Sequence, residues 1–278
     1  MIDHSLLTDF LQIYAFQPAT ALWRAIEVDV FKRHLPHSSR CLDLGCGDGK
    51  LTNILFNSIN DVYLVGIDSD YAETTQATRI PIYKKVHTSL ASNIPELGDS
   101  FDLVISNSVL EHIRNLEPVI AEVSRMLKAG GRFVFTVPGP AFHNCLRGPI
   151  NKQGSRDQYL REIDQRLAHY HYLGVEDWKA LLLKHQIEIK EHVEYLNCIE
   201  TQRWEIISNL TGGLLWHLGG KTHAPINMQR KFGLRKFQNE FKIPRGIASL
   251  LAKMLLIGMT NSKIQSQNAC LLIVAQKT

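Results

Sequence analysis

The sequence lacks several features that would assign it to other protein classes. Its 278 residues include five cysteines, at positions 41, 46, 145, 198 and 270, and none of them forms a CxxC pair. Scattered cysteines in odd number argue against a disulfide framework and a cysteine-rich zinc site, and they favour a reducing compartment. No stretch reaches the roughly 18 apolar residues that a membrane-spanning helix needs. The N-terminal residues MIDHSLLTDF contain no uninterrupted apolar core, so we expect no secretory signal and a cytoplasmic location.

Excess charge is also small, and it is unevenly placed. The formal net charge is only +4, yet residues 197–265 hold ten lysines and arginines against three glutamates. The rest of the chain is therefore slightly acidic. This asymmetry predicts that the late segment faces an anionic partner while the remainder does not.

The apolar residues that are present alternate between helical and strand spacing. Residues 6–34 have helical periodicity interrupted at Pro18, and short apolar runs then alternate with helices as far as Pro138. One of these helices is expected from Leu116 to Lys128, stopped by Gly130 and Gly131. Alternation of this kind predicts an α/β fold with a mostly parallel sheet and a last, antiparallel strand.

The same pattern suggests three parts. Residues 1–38 are expected to form an N-terminal helical cover, and residues 39–196 with 266–278 a ligand-binding core. Residues 197–265 would be a lobe inserted before the last strand, because that strand begins more than seventy residues after its predecessor.

A glycine-rich turn follows the first predicted strand, in LDLGCGDG over residues 42–49. Glycines at such a turn allow positive φ and the close approach of a ligand, which by itself indicates only a nucleotide-like ligand. Asp43 and Asp48 bracket the turn, and their charge disfavours a pyrophosphate and favours a cationic ligand. The alternative is a turn that binds no ligand and has only a structural role.

Asp68 ends the second predicted strand, in VGID. In a doubly wound sheet this position lies beside the first glycine turn, where a carboxylate can accept both hydroxyls of a ribose. The alternative is a solvated acid at a strand end.

These segments together resemble class I S-adenosylmethionine-dependent methyltransferases, in particular type 11-like methyltransferase domains. The resemblance rests on LDLGCGDGK, VGIDSD, FDLVISNSVLEHI and LKAGGRFVFTVP, which occur in this order over residues 41–138. It implies a Rossmann-like fold and S-adenosylmethionine as cofactor, with glycines at the methionine moiety, Asp68 at the ribose, and Asn107, Val109 and Leu110 near the sulfonium. The cofactor contacts expected from motif and resemblance are Asp43, Gly45, Cys46, Gly47, Gly49, Asp68, Ser69, Ser89, Asn107 and Leu110.

The sequence departs from this family at one position. Relatives often carry an aspartate after the third strand, bonded to the adenine amino group, whereas this chain has Leu90 near that position. Adenine would instead be held by backbone groups, Ser89 or Ser92.

The cofactor carries most of the reactivity in methyl transfer, so a dedicated base is optional. We name His112 and His171 as candidate catalytic residues, the first after the fourth strand and the second in a segment that would line the substrate entrance. A structural role is the alternative for each. His143 and His169 are weaker candidates, no third ligand accompanies the histidines, and we predict no metal site.

The lobe over residues 197–265 is basic and amphipathic. In residues 244–259, apolar side chains recur at helical spacing at Ile247, Leu250, Leu251, Met254 and Leu255. The segment could be a lid on the core, an element that touches the inner membrane face as a peripheral contact, or, less favoured, a nucleic-acid surface. We therefore expect a small or amphiphilic, lipid-like acceptor, with a water-soluble metabolite or sugar and a noncatalytic cofactor-binding module as the alternatives.

Overall fold

The computed structural model describes residues 2–57, 59, 61–149, 155–214, 216, 242–259 and 267–278. Strands and helices alternate along most of this length. The strands are β1 Arg40–Leu44, β2 Tyr63–Asp68, β3 Tyr83–Thr88, β4 Phe101–Asn107, β5 Leu127–Pro138, β6 Ile187–Asn197 and β7 Asn268–Lys277. The helices are α1 His4–Ile13, α2 Pro18–His34, α3 Lys50–Leu55, α4 Tyr71–Ala77, α5 Glu117–Met126, α6 Phe142–Cys145, α7 Arg156–Leu167, α8 Val175–Leu183, α9 Cys198–Ser208 and α10 Arg245–Leu256.

The seven strands form one sheet in the order β3-β2-β1-β4-β5-β7-β6. β1 pairs in parallel with β2 and β4, and β4 pairs in parallel with β5. The last strand, β7, pairs antiparallel with β5. The predicted Rossmann-like α/β fold, with a last antiparallel strand, is therefore confirmed. The strand order reverses between β1 and β4, and ligands of such sheets bind at this point.

The central strands are mainly apolar and mostly buried because helices cover both faces of a parallel sheet. Leu42, Leu44, Val104, Phe133 and Phe135 are fully buried. Helix α5 contributes Val119, Ile120, Val123 and Met126 to the same core, and α8 contributes Trp178 and Leu182. Trp178 packs edge-on against Phe135 with ring centroids 4.9 Å apart.

Contacts divide the chain into two compact units. Unit 1 contains residues 1–29, 141–170 and 195–269, and unit 2 contains residues 30–140, 171–194 and 270–278. The sheet core belongs to unit 2. The division predicted from sequence, with residues 1–38 as a cover and 197–265 as a lobe, stays a prediction.

Unit 1 is organised around aromatic side chains and one helix pair. Trp23 lies edge-on to Trp204 at 5.1 Å between centroids, and Phe142 lies about 6 Å from both, at 6.1 Å from Trp23 and 6.0 Å from Trp204. Helix α1 packs against α10. Residues 1–37 contain two helices with the second beginning at Pro18, as the sequence predicted, because proline fits the first turn of a helix.

The helix expected to run from Leu116 to Lys128 before Gly130 and Gly131 ends slightly earlier, at Met126. The two glycines lie within β5, where the register shifts: Phe101 pairs with Leu127, and Leu103 pairs with Arg132. The residues in between bulge out of the ladder, and Gly130 supplies the positive φ of 75° that the bulge requires. The glycines mark an irregular strand here instead of a helix stop.

One disulfide is present, between Cys145 and Cys198, whose Cα atoms lie 4.4 Å apart. The argument from scattered cysteines against disulfide bonding is therefore wrong for this pair, because distance along the chain does not report approach in space. Cys41, Cys46 and Cys270 are buried and take no part in a disulfide bond.

The segment between β6 and β7 is described only in part. The sequence of the lobe also places Leu234, Phe237 and Phe241 at helical spacing among basic residues, and this strip lies outside the described residues. The predicted helix within residues 244–259 is present as α10. Among the described helices, none combines the length and apolar character needed to cross a bilayer.

We expect Trp178→Ala to lower the free energy of unfolding by about 3–5 kcal/mol, because it leaves a large cavity beside Phe135. Trp178→Phe should lower it by less than half as much, since the buried indole Nε1–H has no hydrogen-bond partner among the described residues. The control is Leu183→Ala on the half-exposed side of α8, which should stay within about 0.5 kcal/mol of the parent. Urea denaturation followed by circular dichroism measures all three, and equal losses for the two Trp178 variants would contradict this account.

Candidate functional site

The glycine turn after β1 is pinned to the end of β2. The amides of Gly45 and Cys46 both donate to the carbonyl of Ile67, at 2.8 and 2.9 Å. Gly45 has a φ of 80°, and a Cβ built there would lie 2.4 Å from a methyl group of Val109. Only glycine fits this position, because both the backbone angle and the neighbouring side chain exclude a larger residue.

Asp68 holds the same turn from the other side. Its carboxylate accepts the amide of Gly47 at 3.0 Å and the amide of Asp70 at 2.9 Å. Carboxylate oxygens have about four acceptor sites in all, so these two bonds leave capacity for ligand hydroxyls.

A cavity of about 410 Å³ opens at the carboxyl ends of β1 to β4 in unit 2. Each strand supplies part of the wall, together with the first turn of α5. The lining residues are Gly45, Ile67, Asp68, Ser69, Ser89, Leu90, Ala91, Ser92, Val109, His112, Ile113, Asn115, Pro118 and Val119. Asp68 is the acid in this lining, and the lining contains no lysine or arginine.

The predicted site residues divide into two groups. Gly45, Asp68, Ser69, Ser89 and His112 line the cavity. The rest are not among its lining residues, namely Asp43, Cys46, Gly47, Gly49, Asn107, Leu110 and His171. Cofactor contacts by this second group stay predictions.

The two acids that bracket the glycine turn point elsewhere. Asp43 is buried, and its Oδ2 accepts the Thr52 hydroxyl at 2.6 Å and the Tyr83 hydroxyl at 2.5 Å. Burial raises the pKa of Asp43 to about 6, although both hydroxyl donors act to lower it. Asp48 pairs with Lys50 at 3.2 Å. The negative charge that faces the cavity therefore comes from Asp68.

Asn107 ends β4 with its side-chain amide buried. Neither its Nδ2 nor its Oδ1 has a hydrogen-bond partner among the described residues. The next residue, Ser108, takes a φ of 48°, and its amide donates to Thr136. A buried amide without partners is unfavourable unless a ligand group supplies them, so this position is a candidate contact.

The two candidate catalytic histidines differ in position. His112 lines the cavity, with its side chain 41% exposed and its Nε2 3.9 Å from the buried Glu111. His171 contacts the loop after His112. Its Nε2 lies 2.8 Å from the carbonyl oxygen of Ile113 and 3.2 Å from that of Arg114. Two carbonyl oxygens require the proton to be on Nε2, so His171 acts as a donor that holds the loop.

Tyr83 is a site residue that the sequence did not indicate. Besides its bond to Asp43, its ring covers Gly66, where a built Cβ would lie 2.9 Å from it. It lies forty residues after Asp43, at the start of β3, and only the pairing of β2 with β3 brings it to the glycine turn. The cavity is also lined by four residues that were not predicted as cofactor contacts, Leu90, Ala91, Asn115 and Pro118. Of these, the sequence drew attention only to Leu90, where relatives often carry an aspartate.

The chain matches known proteins over the part that builds this site. Residues 42–135 match the family model of a methyltransferase domain. An uncharacterized methyltransferase of Schizosaccharomyces pombe is 34% identical over 173 residues, which are 52% of this chain and 65% of the relative. A trans-aconitate 2-methyltransferase of an Acidovorax species is 28% identical over 151 residues, which are 53% of this chain and 57% of the relative. The chain thus spans less than two thirds of the length of these relatives.

A solved structure shares the fold over most of the chain. The geranyl diphosphate methyltransferase determined in complex with GPP and sinefungin superimposes with a TM-score of 0.56 at 14% sequence identity. The match covers 90% of this chain and 77% of that structure. At this identity the likeness establishes the architecture alone.

The raised pKa of Asp43 predicts a pH dependence of stability. Between its ordinary value near 4 and about 6, the folded protein holds this proton and the unfolded chain does not. The stabilising contribution is therefore full below about pH 4 and is lost as the pH rises through about 6. We expect this loss to be on the order of 2–3 kcal/mol and to be absent in Asp43→Asn.

Urea denaturation at several pH values measures this difference between parent and Asp43→Asn. Tyr83→Phe is the matched comparison, because loss of one donor should raise the Asp43 pKa further and move the decline to higher pH. A difference between parent and Asp43→Asn that does not change between about pH 4 and 7 would refute the assignment.

The geometry and the comparisons now point the same way. S-adenosylmethionine carries a sulfonium and an ammonium against one carboxylate, and a cavity with an acidic wall and no lysine or arginine suits such a cation. Gly47 has open space where a Cβ would stand, and the buried amide of Asn107 at the end of β4 has no hydrogen-bond partner among the described residues. The chain therefore carries, over residues 42–135, a class I S-adenosylmethionine-dependent methyltransferase domain.

Proposed function

We propose that this protein transfers the methyl group of S-adenosylmethionine to a small, amphiphilic acceptor. The observation that carries the reaction class is the cavity at the carboxyl ends of β1 to β4, which Gly45 and Asp68 line together and whose wall contains no lysine or arginine. The observation that favours an amphiphile is in unit 1, where α10 exposes large apolar side chains within a basic segment.

Asp68 is proposed to accept the ribose hydroxyls, since its carboxylate lies on the cavity wall and retains acceptor capacity. Gly45, Gly47 and Gly49 are proposed to line the methionine moiety, with Asp43 and Cys46 supporting the turn. Ser69 and Ser89 would contact the ribose and adenine. Asn107 and Leu110 would lie beside the sulfonium.

The cofactor supplies an activated methyl group when it is bound. The residues of this chain then need to orient the acceptor, exclude water and, for a hydroxyl acceptor, remove a proton. His112 is suited to proton removal because its imidazole faces the cavity. His171 is proposed to act indirectly, through the loop of Ile113 that forms part of the same wall.

Water-soluble acceptors are the principal rival. The trans-aconitate enzyme among the relatives acts on a small acid, as its name states. A tRNA methyltransferase is also among the curated relatives, so nucleic acid is a further acceptor class to test, although we expect none. The remaining alternative is a noncatalytic module, which would bind the cofactor without transferring its methyl group to any acceptor.

We expect Asp68→Ala to weaken S-adenosylmethionine binding by at least about tenfold, because charge-assisted hydrogen bonds are lost. Isothermal titration calorimetry measures the affinity. The matched control is Asp70→Ala, which removes the carboxylate that caps α4 but leaves the cavity wall unchanged. That control should lose about 1 kcal/mol of stability and keep its affinity within about twofold. Unchanged affinity in folded Asp68→Ala would remove Asp68 from the site.

Incubation of the protein with methyl-labelled cofactor and a cell extract tests the acceptor. Label in the organic phase is expected. With the cofactor below its dissociation constant, the label should fall by at least about tenfold with Asp68→Ala and by about 10²-fold with His112→Asn if the imidazole is the base. Label in the aqueous small-molecule fraction would contradict the amphiphile, and nuclease-sensitive label would establish a nucleic acid. Cofactor binding without any labelled product would favour the noncatalytic module.

A further inference from the structure

Helix α10 reverses the usual burial of an amphipathic helix. Its buried side chains are the small ones, Ala248 and Ala252. Its large apolar side chains face outward, with Leu250 61%, Met254 58% and Ile247 52% exposed. Soluble proteins expose single apolar side chains routinely, but a contiguous set on one helix indicates a binding surface.

Polar contacts within unit 1 fix this orientation. Arg245 forms an ion pair with Asp9 of α1 at 2.6 Å, and the imidazole of His4 lies 3.2 Å from the carbonyl of Ser249. Gln12 donates to the carbonyl of Ile243 at 3.2 Å, just before α10 begins. These contacts hold the alanine side of α10 on α1, so the large side chains remain directed away from it.

The outward side chains lie close together around the helix. With 3.6 residues per turn, Ile247, Leu250, Leu251 and Met254 fall within an arc of about 100°. We call these four residues the α10 outer face. Lys253 is exposed at one edge of this arc, and exposed Lys242 precedes the helix. The face is therefore apolar with a cationic border.

The acids of the surrounding segment are turned inward. Glu205 is 1% exposed and accepts the amides of Arg147 and Gly148 and the hydroxyl of Tyr159. Glu200 accepts the amide of Asn197 at the start of α9. The two described acids of residues 197–265 are thus engaged within the protein, which leaves the charge at the surface of the described segment positive.

We infer that the α10 outer face docks on an anionic phospholipid surface. Apolar side chains with lysines at the border are suited to insertion at the level of the headgroups, where the chains leave water and the ammonium groups meet lipid phosphates. A second copy of the chain fits less well, because stable dimers usually bury about 20–30 residues on each side, whereas the α10 outer face has four. This surface is independent of methyl transfer, so binding measured without cofactor tests it separately.

The experiment is co-sedimentation of the full chain with vesicles of phosphatidylcholine that contain phosphatidylglycerol, compared with phosphatidylcholine alone. The parent should bind the anionic vesicles preferentially. Leu250→Gln/Met254→Gln should weaken this binding by at least about tenfold, because the inserted apolar area is lost. The matched control is Leu97→Gln/Leu183→Gln, which alters two exposed leucines outside the segment and should bind like the parent.

Charge is tested by Lys253→Gln, which should weaken binding about fivefold, with Lys179→Gln on α8 as the matched control. Insertion is tested by Leu250→Trp, whose added fluorescence should be quenched by brominated acyl chains, whereas that of Leu97→Trp should not. The inference is overturned if the parent does not bind anionic vesicles, or if the Leu250/Met254 double variant binds like the parent. It is equally overturned if the parent sediments as a dimer that this double variant dissociates while vesicles have no effect.

Discussion

The amides of Gly45 and Cys46 share one acceptor, the carbonyl of Ile67, and this junction ties the end of β1 to the end of β2. Because the Asp68 carboxylate also accepts the Gly47 amide, the turn is held by hydrogen bonds on both sides before any ligand arrives. A turn held in this way loses little conformational freedom on binding. The close packing of Val109 on Gly45 extends the constraint to the end of β4, so the walls of the cavity depend on one another.

The sequence predicted the sheet because its signal is local. The runs that became β1, β4 and β5 are mainly apolar and buried along most of their length, as strands covered on both faces are, and glycine or serine follows each of them at the carboxyl edge. The early end of α5 could not be predicted, because the start of β5 is set by pairing of Leu127 with Phe101 and not by the glycines. The pattern of local residues does not contain that register.

The charge pattern of the sequence predicted a negatively charged site, but it did not indicate which of the carboxylates faces the cavity. Asp43 and Asp48 bracket the turn in the sequence. Asp43, however, accepts hydrogen bonds from Thr52 and Tyr83, and Asp48 forms an ion pair with Lys50. Periodicity likewise predicted α10 and its apolar face without predicting that this face points outward. That outcome depends on α1, which lies more than two hundred residues earlier and packs on the alanines. Tertiary contacts thus decide which carboxylate faces the cavity and which side of α10 is exposed.

The Cys145–Cys198 bond closes a ring of chain that begins and ends in unit 1. Residues 171–194, which belong to unit 2, lie on this ring. A protease that cuts once anywhere between the two cysteines would therefore leave a single covalent molecule, and its fragments would separate in electrophoresis only after treatment with a thiol reductant. Nicked and intact chains would have the same mass except for one added water, so damage in this stretch would pass unnoticed in a non-reducing gel.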